Sequence, residues 1–179
     1  MARTIRTCSA AALAVALLAT PAMARRSEPS ALSRYVAARI LDSGDAGREA
    51  AQAYALALSA APDNERVAMR AYREAVESGD KVLALRAAHA LEAQQKLPQD
   101  GRLLLFNEAL AKGDWRGARL WLDRFEEAGG FDFLVPGLRA WTALAGRDGD
   151  PLADAGKQPR DGLGAIYLRE QRVLLLLAI

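Results

Sequence analysis

Over about residues 31–133 the chain alternates apolar runs rich in alanine and leucine with short polar corners. One corner, ESGDKVLA at Glu77 to Ala84, returns as KGDWRGA at Lys112 to Ala118 and, one residue longer, as SGDAGREA at Ser43 to Ala50. A glycine that can take the left-handed conformation ends one helix. The aspartate after it, Asp45, Asp80 or Asp114, then accepts from the exposed amides that start the next. Each Gly-Asp therefore predicts a helix-turn-helix corner. Between corners, Pro62-Asp63-Asn64 and Pro98-Gln99-Asp100, 36 residues apart, stop one helix and supply capping residues for its successor.

Two markers keep one period. Ala50, Ala84 and Ala118 are spaced 34 and 34 residues apart, and Gly44, Gly79 and Gly113 are spaced 35 and 34. A fixed period of this length predicts stacked supersecondary units, here at about 31–64, 65–98 and 99–133. A degenerate fourth unit occupies 134–150: FLVPGLRAWTALA, from Phe133, can form a helix, and Gly149-Asp150 repeats the corner 36 residues after Gly113. Pro151, Gly156, Pro159, Gly162 and Gly164 then leave room only for a short helical turn and a loop over 151–162. The stretch AIYLREQRVLLLLAI returns to helix and forms the core of a C-terminal segment, 163–179. Its uncapped apolar ending needs burial, by capping the core or by self-association with a second chain. The reading it favours is a sequence truncated within a repeat or cut from a longer parent, because repeat arrays normally end on a polar face.

The unit resembles the tetratricopeptide repeat, a pair of antiparallel helices of about 34 residues. In that pattern helix A ends in Gly-Asp, helix B carries a small residue, an aromatic and another alanine, and a proline closes the repeat. The first unit has Gly44, Asp45, Ala50, Tyr54, Ala57 and Pro62; the second has Gly79, Asp80, Ala84, Ala88 and Leu91, with its proline displaced to Pro98. The third has Gly113, Asp114, Trp115, Ala118, Leu122 and Phe125, with Gly130 where proline is usual. Tyr72 and Phe106 replace the small residue usual in the middle of helix A, and the early aromatic of helix A is missing from all three. The resemblance implies an all-α fold, an α-solenoid of antiparallel helix pairs wound as a superhelix.

The first 24 residues have a different character. Arg3 and Arg6 give a positive start, AAALAVALLA an apolar run, and Pro21-Ala22-Met23-Ala24 an A-x-A site, which predicts a secretory signal peptide cleaved after Ala24, followed by a linker at 25–30. The run is shorter than the roughly 20 residues a membrane span needs, so no span is expected after cleavage. The destination is the periplasm or the exterior of a Gram-negative-type cell. Cys8 precedes the apolar run and is therefore no lipid-attachment cysteine. Cleavage removes two of the 24 Lys and Arg, leaving 22 basic and 22 acidic residues, so the formal charge of +2 falls to zero. A neutral chain gives no electrostatic reason to expect nucleic acid. The only cysteine leaves as well, which removes disulfides and, with His89 as the only histidine, the usual zinc sites.

No catalytic constellation appears. His89 lies between alanines, the serines sit at helix ends, and neither a G-x-S-x-G nor a phosphate-binding glycine loop is present. The expectation is a protein that is no enzyme and carries no cofactor or metal. The resemblance implies instead a concave face built from helix A, holding a peptide or helix of a protein partner. Counting back from each Gly-Asp, its expected residues are Arg34 and Ala38, Met69 and Arg73, and Leu103 and Asn107. Two functions follow: an exported interaction module for an envelope partner, or the non-catalytic helical domain of a cell-envelope or glycan-processing enzyme.

Overall fold

The computed structural model describes residues 29–44, 46–155 and 162–179. The export segment, residues 25–28, Asp45 and residues 156–161, with Gly156 and Pro159, lie outside the described residues. Three consecutive helix pairs come first: α1 (Ala31–Ser43) with α2 (Gly47–Ala60), α3 (Glu65–Ser78) with α4 (Lys81–Ala93), and α5 (Gln99–Ala111) with α6 (Trp115–Glu127). A 3-10 turn, Asp132–Leu134, leads into α7 (Val135–Gly146); the five-residue α8 (Pro151–Ala155) follows, and then α9 (Leu163–Ala178), which packs on α7 and α8. The described residues form no strand. This is the all-α array of adjacent helix pairs that the period predicts, a repeat-like architecture that fits an α-solenoid.

Two of the corners have the expected geometry. Gly79 takes φ +73°, Asp80 sends its amide back to the Ala75 carbonyl at 2.8 Å, and the Asp80 carboxylate accepts from the Leu83 amide at 3.0 Å. Gly113 takes φ +70°, and Asp114 likewise returns its amide to Ala109 at 2.9 Å and accepts from the Gly117 amide at 2.9 Å. The first corner differs. Gly44 has φ −100°, outside the left-handed region, and α2 starts after Ala46 without a side-chain cap. The glycine stands one residue early here and no residue is added, since Ala38 to Ala50 spans the same 12 positions as Tyr72 to Ala84.

Asn64 caps α3 by accepting from the Arg66 and Val67 amides at 3.1 and 3.2 Å. The equivalent expectation at α5 needs correction, because no side chain caps that helix. Its candidates reach across the array instead: Tyr72 donates to the Asp100 carboxylate at 2.8 Å, and Gln99 donates to the Gly129 carbonyl. The fourth corner also shifts. Arg147, at φ +52°, ends α7, so Gly149 sits in the following loop while Asp150 accepts from the Leu152 amide at 2.9 Å.

Burial reproduces the 34-residue register. Ala50, Ala84 and Ala118 are all buried, as are Tyr54, Ala88 and Leu122, and Ala57, Leu91 and Phe125. In helix A the buried column is Ala38, Tyr72 and Phe106. A column of alanines where helices cross lets their backbones approach, while the larger columns fill the space between pairs. One apolar cluster runs from Ala38 on α1 to Leu105 on α5; a second joins Phe106, Ala109, Ala118 and Leu122, with Trp121 packed against both. Ala140 and Leu175 form a small third cluster under α9.

Candidate functional site

The helix A register corrects the expected partner face. Measured along the buried columns, the counterpart of Met69 and Leu103 in α1 is Tyr35, and that of Arg73 and Asn107 is Arg39; counting back from Gly44 lands one residue early because Gly44 itself stands one residue early in the register. Ala38 is fully buried and cannot face a partner. Arg34 is half-buried on α1, while Met69 and Leu103 pack against the first and second clusters. Arg73 and Asn107 are exposed. Of five clefts at separate places among the described residues, none is lined by more than one of Arg34, Met69, Arg73, Leu103 and Asn107.

Asn107 lines a groove. A space of about 340 Å³ lies between Phe106, Asn107 and Leu110 of α5, Trp115 at the start of α6, and Leu138 and Trp141 of α7. Its walls are mainly apolar. Helix spacing explains the lining: Phe106 and Leu110 lie four residues apart on α5, and Leu138 and Trp141 three apart on α7, so each pair shares a face.

Both indoles are held from behind. The Trp141 Nε1 donates to Gln171 Oε1 on α9 at 2.8 Å, which fixes the ring against rotation. Trp115 lies against Gly146, where an added Cβ would come within 3.1 Å of its Cγ. Thr142 is buried and its hydroxyl donates to the Leu138 carbonyl at 2.7 Å. That leaves the exposed Asn107 amide as the polar group at the rim.

A second cleft, about 430 Å³ between α4 and α6, is built differently. Arg124 donates to Glu92 at 2.6 Å and lies 4.8 Å above the Trp121 ring, so these two charges already satisfy one another. The buried tyrosines hold helices together. Tyr54 donates to Asp42 at 3.0 Å, and burial pushes its phenol up to about 12. Burial likewise raises Tyr72, which is bonded to Asp100. His89 is exposed and its Nε2 lies 2.7 Å from Glu108 Oε2 on α5, a surface contact between pairs.

Sequence reasoning placed Trp115 and Trp141 on helices and missed their convergence. The available signal was a glycine, Gly146, one residue past the apolar run containing Trp141, where the backbone leaves room for a ring. Among the described residues no three His, Cys, Asp or Glu side chains are grouped to hold a metal, and no helix is long and apolar enough to cross a membrane. Comparison with protein-family models, curated proteins and solved structures finds no match for this chain.

Proposed function

We propose that this chain is an exported, non-catalytic interaction module of the tetratricopeptide type that holds a peptide or helix of an envelope protein. The α5–α7 groove is the seat of the partner's apolar anchor, with Asn107 bonding its backbone or a polar side chain at the rim. The observation that carries this reading is the pair of pre-set indoles in an open apolar groove. Rigid aromatic walls lose little entropy when a ligand is held, and aromatic pockets with a polar rim are where binding energy concentrates. The export pattern and the Gly-Asp period support the same reading.

A peptide library selected on the chain tests it, followed by titration calorimetry on the enriched peptides. The expected peptides share one aromatic or branched aliphatic anchor. Trp141→Ala is expected to weaken them by roughly 30-fold or more, the scale of a 2 kcal/mol hot spot. Asn107→Ala is expected to weaken them less, and Arg48→Ala on the exposed side of α2 not at all. Equal affinities across the wild type and all three variants would move the partner to another surface.

A further inference from the structure

The register singles out a helix face on α1 that its counterparts bury. Ala71 on α3 and Leu105 on α5 belong to the apolar cluster shared with the preceding helix pair. Glu74 shares a cleft with Gly47 of α2, where an added Cβ would meet its Oε1 at 3.4 Å, and Glu108 bonds His89 of α4. Val67 and Gly101, in the neighbouring column, are buried too. The same three columns on α1 hold Ala37, Ile40 and Ser33, and all are exposed. Leu32 and Val36 lie beside this face, in columns where the later pairs carry the exposed Arg66, Asp100 and Arg70, and they continue the apolar surface from Ile40; Leu32 is 71 % and Ile40 66 % accessible. A cleft of about 380 Å³ beside it, lined by Leu32, Tyr35, Arg66 and Val67, has room for an apolar side chain. In the two later pairs this face is the seat of a preceding helix pair. On α1 it is open, with Ile40 where the later pairs carry Glu74 and Glu108 and an apolar border of Leu32 and Val36 beside it.

At the other end of the array α9 has a matching surplus. Ala165, Leu168 and Leu175 are buried beneath it, while Leu163, Ile166, Val173 and Leu177 are exposed on the other side, the last by 81 %. With Glu170 they fall at intervals of 3, 4, 3 and 4 residues, one stripe along the helix. At 1.5 Å per residue, α1 spans about 20 Å and α9 about 24 Å, so the two faces are of similar length.

We propose that copies of this chain stack end to end, the exposed face of α9 in one copy covering the Leu32, Val36 and Ile40 face of α1 in the next. The contact overlaps, at Ile40, the column through which α3 and α5 meet α2 and α4 within one chain, and extends past it over Val36 and Leu32. It joins two different surfaces, so it is heterologous and each added copy leaves a new free end. It uses neither indole of the α5–α7 groove and is independent of peptide binding there.

Sedimentation velocity over a wide concentration range tests it on the chain as recovered from cells, with Ile40→Glu and Leu177→Glu as blocking variants. Both positions are exposed, so unchanged circular dichroism is expected to show that the variants fold. Wild type is expected to move from monomer to dimer and larger species as concentration rises, while each variant alone stays monomeric. The two variants mixed are expected to form a dimer, since each keeps one intact face, and to stop at twice the monomer mass. Association of the Ile40→Glu variant at wild-type strength would assign the contact to α9 pairing with α9 and overturn the proposal. The same result for Leu177→Glu would assign it to α1 pairing with α1. A wild type that remains monomeric throughout also overturns it, as does a mixture that fails to pair.

Discussion

Glu74 and Glu108 occupy the same register position, 34 residues apart, and both face the preceding helix pair. Their surroundings are opposite. Glu74 is 93 % buried beside the carboxylates of Asp42 and Glu77; burial first, and then those charges, push its carboxyl above the usual range. Glu108 also loses hydration, but Lys112 at 2.7 Å and His89 at 2.7 Å outweigh that loss and hold its carboxyl below the usual range. The repeat sets where a side chain sits and which helix pair it meets. It does not set the charge waiting there, and so one junction is strained by ionisation while the next is tightened by it.

The comparison presumes that equal register means equal place in the core, and overpacking can break that presumption. Ala84, 3 % exposed where α4 crosses its neighbours, has no room for a larger side chain, whereas Ala93 is exposed near the end of the same helix. Ala84→Leu is expected to destabilise the protein by about 1–3 kcal/mol, with Ala118→Leu in the same range. Ala93→Leu is expected to stay within about 0.5 kcal/mol of wild type, as exposed substitutions usually do. Urea melts decide it; equal midpoints for the Ala84 and Ala93 variants would sever the periodic spacing from the packing.

The corners sharpen the comparison with a smaller effect. Gly79 and Gly113 have open space where a Cβ would go, but φ of +73° and +70°. Alanine at either is therefore expected to cost about 1 kcal/mol through backbone conformation alone. Gly44 sits at φ −100°, and its Cβ would meet only carbonyl oxygens at 3.5 and 3.6 Å, ordinary contact distances. Gly44→Ala is expected to be neutral or to stabilise by up to about 1 kcal/mol by restricting the unfolded chain. Thermal melts of the three variants check the sign, and a loss at Gly44 as large as that at Gly79 would mean that the first corner is made like the others.

These contrasts mark what could be read from the chain. The helix pairs were legible because the second and third Gly-Asp corners act locally, through a left-handed residue and a cap three residues long, and because Ala50, Ala84 and Ala118 keep their spacing in all three pairs. The groove was much less so. Asn107 was found by counting back from Gly113, but the same count from Gly44 named the buried Ala38, since Gly44 stands one residue early in the register and an error of one residue is about 100° around a helix. Trp115 and Trp141 meet only through the packing of α7 on α6, which no local pattern encodes. Asp100 and Gln99 look like caps, yet partners on α3 and after α6 draw them away.

The most direct test of the register account is a pair of stability-versus-pH curves, for Glu74→Gln and Glu108→Gln. With its carboxyl raised on folding, wild-type Glu74 favours the folded state most below the ordinary glutamate value of about 4.3. That contribution is lost as pH rises through the raised value. Glu108, lowered on folding, contributes above about 4.3, and that contribution is lost as pH falls through its lowered value. At pH 7–8 the account predicts a higher melting temperature than wild type for Glu74→Gln and a lower one for Glu108→Gln, each effect below about 1–2 kcal/mol, and both shrinking toward pH 4. Shifts of the same sign in the two variants across that range would contradict it.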